Sequence, residues 1–481
     1  MSESAKLRIA FVHPDLGIGG AERLVVDAAL GLQKLGHEVV IYTSHHDPDH
    51  CFDETRDGTL KVHYVVPPFP RAYRGKFHIL FSHARQLHLT GHLLRSTSPK
   101  YDVYFVDQLS TCVPLLRAFG RTRVVFYCHF PDKLLADGAY VEEKGRPRWG
   151  LLKRAYRLPM DWLEERTTRQ ADVILANSKF TARVFKTHFP SIPSTPKVVY
   201  PGINLSAYEA ASYDTQDRDI LDVVSDRPTL LSLNRFERKK NAALAVDAFA
   251  LLRQKITDSA QSASLGALRL VVAGGYDPRL EDNTKTLVQL IDRAKAHSLT
   301  FTITAPSSSP IALPPFDTTH GDPDVLFLLN FTTAQRSALL SAPTTRALLY
   351  TPANEHFGIG PVEAMVCGLP VLACDSGGPT ESVVDAPTEE RTGWLRTPDA
   401  QVWADALVEI MGLSTEESEA LAGRAKKRAR EYFGMEAMAK GLEGALREAA
   451  AMGPVVLNSS LVMLFYAVLA VLAALIARMF T

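Results

Sequence analysis

Residues 354–381 read NEHFGIGPVEAMVCGLPVLACDSGGPTE and predict a loop, a helix, a buried strand and a second tight loop in close succession. Two carboxylates in this stretch, Glu355 and Glu363, stand eight positions apart. The glycines and Pro361 between them exclude one continuous helix, and proline suits the first position of a new one. We therefore expect Glu355 in a loop and Glu363 in the first turn of the helix.

The start of this helix, around Gly358, Ile359 and Gly360, has the properties of an anion site. Unpaired backbone N–H groups and the positive end of the helix dipole attract phosphate there, and glycine lets it approach closely. Sugar and ribose hydroxyls donate to carboxylates, whereas a diphosphate needs N–H groups and cations. A sugar nucleotide would use both kinds of group. The alternative is an ordinary loop, helix and strand of an α/β domain.

Two glutamates with seven residues between them, followed by the loop GGPTE at residues 377–381, resemble the donor site of retaining GT-B glycosyltransferases. The resemblance is specifically to glycosyltransferase family 4. It implies an α/β fold with two doubly wound, Rossmann-like domains that face a cleft. It also implies that Glu355 contacts the hydroxyl groups of the donor sugar.

Composition limits the class of protein. At 481 residues, of which 46% are hydrophobic and 22% charged, the chain can bury the cores of two domains or more. Its 53 basic and 53 acidic residues give a formal net charge of +0, so we expect no nucleic-acid partner. Five scattered cysteines match neither a disulfide framework nor the spacing of a zinc site. We expect them to be small core residues in a reducing compartment.

The two ends of the chain differ in hydropathy. The residues MSESAKLR lead directly into a short strand without the apolar core of a secretory signal, so we expect the folded part in the cytosol. Residues 461–477 are uninterruptedly apolar, and a membrane span needs about 17 such residues or more. Because this run is apolar on every face, it predicts a transmembrane helix within residues 455–481. The alternative is a buried C-terminal helix.

Residues 1–205 predict a parallel, doubly wound domain. A strand at 8–12, a glycine-rich loop at 13–20, a helix at about 21–35 and a strand at 38–43 follow one another. The loop lacks the third glycine of a dinucleotide fingerprint, which argues against a dehydrogenase. The family resemblance implies instead that Gly19 and Gly20 face the donor.

His129 follows the predicted strand 124–128, so a doubly wound sheet would place it at the carboxyl edge, facing the crevice. In family 4 a histidine at this position lies beside the transferred sugar. The alternative is a histidine that caps the strand or packs below the loop.

Residues 146–169 interleave basic and apolar side chains, and the basic ones are Arg146, Arg148, Lys153, Arg154 and Arg157. Such a stretch can lie on an anionic membrane surface. It also suits an ordinary surface helix, in which Asp161, Glu164 and Glu165 pair with the basic residues.

A second doubly wound domain, residues 206–432, is predicted to open with the strand 229–233. The loop after this strand carries Arg235 and Lys240, where a guanidinium fork and an ammonium point charge would neutralise a diphosphate leaving group. The alternative is a solvated charged loop. Residues 305–324, rich in Ser, Pro and Thr, predict a surface insertion. The acidic pairs at 47–49, 217–219 and 322–324 lie in loops away from the expected site, so we predict no metal site there.

The motifs HPDLGIGGAERLV, YCHFPD, LNRFERKKN and NEHFGIGPVEAM occur in this order from His13 onward. Together they resemble the family-4 mannosyltransferases that add α-1,3- and α-1,6-linked mannose to a dolichol-linked oligosaccharide. Asn234 and Asn241 replace glycines that are usual in family 4, and they agree with this narrower group. The resemblance implies retaining transfer from GDP-mannose to Man1GlcNAc2-PP-dolichol for N-glycosylation, on the cytosolic face of the endoplasmic reticulum membrane.

The same resemblance assigns roles to residues. The catalytic residues are Glu355, His129, Lys240 and Arg235, and the donor-binding residues are Gly19, Gly20, Arg235, Lys240, Gly358, Ile359 and Glu363. It implies no metal or other cofactor. The partners are GDP-mannose, the dolichol-linked acceptor, membrane lipids and other early dolichol-pathway transferases. A helix within residues 433–454 is expected to return to the first domain.

The sequence is also compatible with two other functions. One is a family-4 transferase that uses another nucleotide sugar and another lipid acceptor. The other is a catalytically silent, membrane-anchored scaffold, which would have no need of Glu355, Glu363, Arg235 and Lys240 together.

Overall fold

The structure is a computed structural model that describes residues 5–73, 77–95, 100–135, 151–209, 214, 216–257, 268–309, 311 and 322–456. It contains two compact units. Unit 1 comprises the described residues within Met1–Asp137, Gly145–Gly202 and Met438–Thr481, and unit 2 comprises those within Ile203–Ala437. The boundary between them lies three residues before the one expected from the sequence.

Unit 1 contains a seven-stranded parallel sheet of order β3-β2-β1-β4-β5-β6-β7. Its strands are β1 (Arg8–His13), β2 (Glu38–Thr43), β3 (Lys61–Tyr64), β4 (Val103–Asp107), β5 (Arg123–Cys128), β6 (Val173–Ala176) and β7 (Lys197–Val198). Its helices are α1 (Gly20–Lys34), α2 (His78–Arg95), α3 (Val113–Gly120), α4 (Asp132–Leu135), α5 (Leu151–Thr168) and α6 (Lys179–His188), with a short 3₁₀ turn at Asp53–Thr55.

Unit 2 contains a second seven-stranded parallel sheet of order β10-β11-β9-β8-β12-β13-β14. Its strands are β8 (Thr229–Leu233), β9 (Arg269–Gly274), β10 (Phe301–Thr304), β11 (Val325–Leu329), β12 (Thr345–Tyr350), β13 (Val371–Cys374) and β14 (Trp394–Arg396). Its helices are α7 (Ser206–Glu209), α8 (Arg218–Leu221), α9 (Ala243–Thr257), α10 (Glu281–Ala296), α11 (Thr333–Ser341), α12 (Ile359–Cys367), α13 (Pro379–Ser382), α14 (Ala400–Met411) and α15 (Thr415–Phe433). Short 3₁₀ turns lie at Arg238–Lys240 and Thr388–Glu390, and the last helix of the described chain is α16 (Met435–Ala451).

Both sheets are covered by helices on both faces. In β1, Ile9 and Phe11 belong to one buried cluster, while Ala10 and Val12 belong to another on the opposite face. Alternate side chains of a strand point to opposite faces, so a strand buried on both sides must be apolar throughout. The predicted doubly wound α/β fold of each unit is confirmed.

Each sheet has a switch point, where the strand order reverses beside the first strand of the unit. In unit 1 it lies between β1 and β4, and in unit 2 it lies between β8 and β12. Sheets of this type bind ligands in the crevice outside the carboxyl ends of the strands at the switch point. A ligand site is therefore expected at the residues that follow β1, β4, β8 and β12.

Helix α16 packs into the core of unit 1 through one apolar stripe. Its buried residues there are Met438, Leu442, Ala445, Leu446 and Ala449. His37 Nε2 lies 3.1 Å from Glu443 Oε1, and Arg447 Nη1 donates to the Ala5 carbonyl at 2.8 Å. After the helix, Arg123 donates to the carbonyl groups of Gly453 and Met452. The chain up to Val455 is thus attached to the end of the sheet at which β5 begins.

The described helices include none that is long and apolar enough to cross a membrane. The predicted transmembrane segment, residues 461–477, lies outside the described residues. Much of the basic stretch also lies outside them, because residues 146–150 are not described and only the backbone is described for 151–155. Arg157 is buried and forms ion pairs with Asp132 and Asp161. For this residue the structure favours the paired helix over a membrane contact.

Two of the acidic pairs have structural roles. Asp219 accepts hydrogen bonds from the backbone N–H and the hydroxyl of Ser307, which lies in the predicted insertion. Asp322 and Asp324 form ion pairs with Arg227. These contacts hold the described ends of the segment 305–324 to unit 2, while residues 310 and 312–321 lie outside the described part of the chain.

The cysteines are all free thiols, and four of the five are buried. They are Cys51, Cys112, Cys128 and Cys374, with Cys367 partly buried. This agrees with their predicted place in the cores.

Candidate functional site

The loop after β8 carries the predicted cations of unit 2. It ends in the 3₁₀ turn Arg238–Lys240, and Asn241 follows with a φ of 50°. Asparagine tolerates this left-handed conformation better than most residues, which explains an Asn in place of the usual glycine. The Lys240 carbonyl accepts a hydrogen bond of 2.7 Å from the Thr351 hydroxyl, directly after β12. The two loops at the switch point are therefore joined.

Lys240 and Glu355 form an ion pair at this junction. Lys240 Nζ lies 2.5 Å from Glu355 Oε2, and the two side chains are only 18% and 19% exposed. Burial by itself raises the pKa of a carboxyl group, but the adjacent Lys240 holds the pKa of Glu355 below its usual value. Glu355 is therefore an ionised acceptor of hydrogen bonds at neutral pH.

Two glycines in the loop after β13 allow the Glu355 loop to lie where it does. A Cβ on Gly377 (φ 70°) would lie 2.4 Å from the Glu355 carbonyl oxygen, and one on Gly378 would lie 2.2 Å from that of Phe357. Gly378 N–H donates to the Glu355 carbonyl at 2.7 Å. Only glycine lets two backbones approach so closely, so the sequence GG at 377–378 is needed to position the carboxylate.

The helix that follows Glu355 starts two residues earlier than predicted. Helix α12 begins at Ile359 after Gly358, whose φ is 83°, and Pro361 occupies its third position. Proline is tolerated there because the N–H groups of the first helical turn have no partner within the helix. Glu363 consequently begins the second turn, and the prediction that it lies in the first turn was wrong.

Tyr350, the last residue of β12, lies beneath this helix start. Its hydroxyl is 2.8 Å from the position of a Cβ on Gly358, and its ring packs against Gly360. Burial raises the pKa of Tyr350 well above its usual value, and the carboxylates of Glu355 and Glu363 raise it further. A neutral phenol thus fills the space between two carboxylates.

Glu363 is bound to protein groups. Its Oε1 accepts from Arg336 Nη1 at 2.9 Å and from the hydroxyl of Tyr208, and the residue is only 8% exposed. Its assigned contact with the donor stays a prediction. The contacts that the structure adds orient its carboxylate.

The side chain of Arg235, unlike that of Lys240, is largely exposed to solvent. Its side chain is 63% exposed, and its nearest carboxylate, Glu237, is 3.7 Å away. A Cβ on Gly274 would lie 1.7 Å from the carbonyl oxygen of Asn234, so the end of β9 packs closely against the backbone just before Arg235. This arrangement leaves an exposed guanidinium on a fixed backbone at the carboxyl edge of the sheet.

In unit 1, three polar residues meet at the switch point. His13 ends β1, Asp107 ends β4, and His129 follows β5. His13 Nδ1 lies 2.9 Å from Asp107 Oδ2, and His129 Nε2 lies 2.6 Å from Asp107 Oδ1. His13 and Asp107 are fully buried, whereas the His129 side chain is 22% exposed.

The charges of this cluster are set by the carboxylate at its centre. Burial raises the pKa of Asp107, but the two histidines outweigh burial and hold it below its usual value. Burial lowers the pKa of His129, but the charge of Asp107 outweighs that effect, and the pKa of His129 is raised. The ionised Asp107 therefore favours the protonated, imidazolium form of His129.

The predicted donor-facing glycines open helix α1. Gly19 is the N-terminal cap of this helix, and a Cβ on it would lie 2.2 Å from Glu22 Oε2. A Cβ on Gly20 would meet no heavy atom of the described residues within 4 Å. Gly20 is thus exposed to open space at a helix start, as a glycine facing a ligand would be.

Five contributing residues were not identified from the sequence. They are His13, Asp107, Arg336, Tyr208 and Tyr350. Asp107 offered a signal, since it is an acid at the last position of an otherwise apolar strand. Arg336 and Tyr208 offered none, because their meeting with Glu363 depends on the packing of helices α7, α11 and α12.

Among the residues that the structure describes, no group of three His, Cys, Asp or Glu side chains could hold a metal ion. The assignment of Lys240 and Arg235 to a diphosphate stays a prediction.

Comparison with known proteins assigns both units. The family model of glycosyltransferase family 4 matches residues 18–207, and that of glycosyl transferases group 1 matches residues 320–428. The solved structure of a sucrose-phosphate synthase from Thermosynechococcus elongatus aligns with 93% of this chain and 100% of its own, with a TM-score of 0.67 and 19% identity. The two parallel-sheet, Rossmann-like units thus match the GT-B fold.

Curated relatives narrow the family. The chain is 48% identical over 406 residues to the alpha-1,3/1,6-mannosyltransferase ALG2 of Rhizomucor pusillus. This alignment covers 84% of each of the two chains. The chain is 43% identical over 450 residues to the protein of that name from Kluyveromyces lactis, covering 91% of this chain and 84% of the relative. The chain is therefore a glycosyltransferase of family 4, and it belongs to the family of the alpha-1,3/1,6-mannosyltransferases.

Proposed function

We propose that the protein transfers mannose from GDP-mannose to Man1GlcNAc2-PP-dolichol, first in α-1,3 and then in α-1,6 linkage, during assembly of the lipid-linked oligosaccharide for N-glycosylation. The reaction takes place on the cytosolic face of the endoplasmic reticulum membrane. The observation that carries the proposal is the Lys240–Glu355 pair at the switch point of unit 2. The names of the relatives support the choice of sugar and linkage.

The two residues of this pair act on different parts of the donor. The Lys240 ammonium neutralises the diphosphate as GDP departs, and the exposed guanidinium of Arg235 adds a second cation on the same loop. The ionised Glu355 accepts hydrogen bonds from sugar hydroxyls. Because these cations supply positive charge, the proposal includes no metal ion.

We propose same-face attack. The acceptor hydroxyl oxygen forms a bond to the anomeric carbon on the face from which the donor phosphate oxygen leaves, and its proton passes to that phosphate. An imidazolium alone would repel the positively charged sugar of such a transition state. The role assigned to His129 therefore depends on the Asp107 carboxylate behind it, which makes the pair neutral.

One experiment distinguishes the proposed function from two others. A family-4 transferase with another nucleotide sugar would share the Lys240–Glu355 pair, and a scaffold would show no turnover. Purified protein with GDP-mannose and a synthetic lipid-diphosphate carrying one mannose on chitobiose, in chelator, should add two mannoses in succession. Addition of one would contradict the second linkage, and addition of none would contradict the proposal. Loss of turnover in chelator that manganese restores would contradict the metal-free site.

The mechanism predicts that no sugar becomes attached to the protein. The rival is a double displacement through an ester on Glu355, which requires the carboxylate at the anomeric carbon. Intact-protein mass spectrometry after incubation with GDP-mannose and no acceptor should show an unchanged mass. A stable gain of one hexose that maps to Glu355 would overturn same-face attack.

Removal of the Lys240 charge should abolish most activity. Lys240→Ala should lower kcat by roughly 100-fold or more, about 3 kcal/mol, because it strips charge stabilisation from the departing diphosphate. The control is Lys239→Ala, since the neighbouring lysine is 48% exposed and pairs with Glu237. Lys240→Gln keeps a hydrogen-bond donor for Glu355, so its loss of activity at unchanged thermal stability isolates the charge. Normal turnover by both Lys240 variants would refute the assignment.

The pH dependence should report the charge of His129. Asp107 raises the pKa of His129, with a further contribution from Glu22, so the imidazolium persists to higher pH than in an ordinary buried histidine. With Nε2 facing Asp107, the protonated ring can donate a hydrogen bond from Nδ1 to a hydroxyl of the donor sugar, so activity that needs this donor falls as pH rises through that pKa. In Asp107→Asn the lowering by burial is opposed only by the smaller effect of Glu22, and the alkaline limb of the kcat profile should move to lower pH. A profile of unchanged shape, with activity only scaled down, would mean that Asp107 serves folding alone.

A further inference from the structure

A cavity of about 180 Å³ lies at the carboxyl edge of the unit 1 sheet. Its lining residues are Pro14, Asp15, Arg71, His78, Ser82 and Arg85. The volume is several times the roughly 30 Å³ that one water molecule occupies in the liquid. None of these residues takes part in the His13–Asp107–His129 cluster or in the site of unit 2.

The cavity is lined by two guanidinium groups. Arg85 is fixed, because its Nη2 donates to the Ser44 carbonyl at 2.9 Å and its Nη1 donates to the Phe69 carbonyl at 3.3 Å. Arg71 is 55% exposed, and its Nη2 donates to Asp15 Oδ2 at 2.6 Å. The 18-residue helix α2 adds His78, its first residue, and Ser82 one turn later, whose hydroxyl donates to the His78 carbonyl at 2.9 Å. Two guanidiniums beside a helix start form a site for a phosphate-type anion.

The described residues on either side of Arg71 in sequence, before His78, expose apolar side chains. They are Tyr64 (44% exposed), Val66 (69%), Phe69 (40%), Tyr73 (44%) and Phe77 (38%). Phe69 is at the rim itself, since its carbonyl is a partner of Arg85. Aromatic side chains exposed next to arginines are typical of a surface that meets lipid. A free nucleotide has no lipid chain that would contact these apolar side chains.

We propose that this cavity binds the diphosphate of the lipid-linked acceptor, and that the apolar rim contacts the lipid chain attached to it. The inference rests on the proposed function, whose acceptor is a sugar chain joined to a lipid through a diphosphate. Arg71 exchanges part of its contact with Asp15 for the diphosphate oxygens. Arg85 and the α2 helix start hold the other side.

The position of the cavity fits the length of such an acceptor. Pro14 and Asp15 directly follow His13, and Ser44 directly follows β2, so the cavity lies beside the ends of β1 and β2. His129 lies after β5, three strands along the sheet from β2. Three strand spacings are about 14 Å, a distance that a short oligosaccharide spans. A diphosphate in the cavity would place the far end of the sugar chain near His129.

The same anion chemistry could come from the head group of an anionic phospholipid. The two sources differ in what they predict, because a head-group site would respond to vesicle charge alone. The experiment therefore uses phosphatidylcholine vesicles with or without a polyprenyl diphosphate, and vesicles that contain phosphatidylserine instead.

Full-length wild-type protein should bind the polyprenyl-diphosphate vesicles more tightly than neutral ones, and Arg71→Ala should remove most of that difference. In the transfer assay Arg71→Ala should raise KM for the lipid-diphosphate acceptor by roughly tenfold, the loss expected for one half-exposed charge-assisted contact. KM for GDP-mannose, and KM for an acceptor trisaccharide without the diphosphate, should not change. Asp15→Asn, which frees Arg71, should lower the acceptor KM.

The matched control is Arg8→Ala. Arg8 is 39% exposed and pairs with Glu38, but it starts β1 at the opposite edge of the sheet. It should leave vesicle binding and the acceptor KM as in the wild type. Wild-type binding that does not distinguish the polyprenyl diphosphate, or an equal loss of binding to phosphatidylserine vesicles in Arg71→Ala, would overturn the inference. Wild-type protein that binds the diphosphate lipid but transfers no mannose would refute the proposed function while the binding site stands.

Discussion

The ion pair between Lys240 and Glu355 is the interaction around which unit 2 is organised. Its partners are 115 residues apart in sequence and lie in the loops that follow two neighbouring strands, β8 and β12. Either charge alone would be costly at about one-fifth exposure, so each is held there by the other. Gly377 and Gly378 allow the close backbone approach that fixes the Glu355 loop, and Tyr350 fills the space beneath it. A ligand that binds both groups meets a site whose charges are already in position.

Unit 1 also contains a buried charge that neighbouring residues stabilise, but the residues are of other types. Its carboxylate, Asp107, is buried between two histidines and stays ionised because both compensate for the loss of water. A single buried acid thereby sets the charge of His129, the more exposed member of the cluster. In both units the charged residues stand at the switch point, where parallel strands end side by side and their following residues converge.

Other charged residues of the chain serve packing. Asp219 fixes Ser307, Arg227 binds Asp322 and Asp324, and Arg157 is buried between two carboxylates. Their exposure and partners separate them from Arg235 and Arg71, whose side chains are more than half exposed at a sheet's carboxyl edge. Whether a charged residue stabilises the fold or is available to a ligand thus depends on its position in the folded chain.

The sequence by itself determined the class of fold and most of the central strands, since a strand buried on both faces must be an apolar run bounded by glycine and proline. It also placed Lys240, Arg235 and His129 at the carboxyl edge, because they follow such runs, and it placed Glu355 in a loop because glycines and a proline separate it from Glu363. It did not single out the edge strands β3, β10 and β14, which are short, or β12, whose run is interrupted by the exposed Arg346. Only the tertiary structure decided that Asp107 joins two histidines, that Arg336 and Tyr208 hold Glu363, and that Arg71 and Arg85 share one cavity. Each of these meetings brings together residues distant in sequence, and their distances depend on how helices pack on a sheet, which no local pattern of residues specifies.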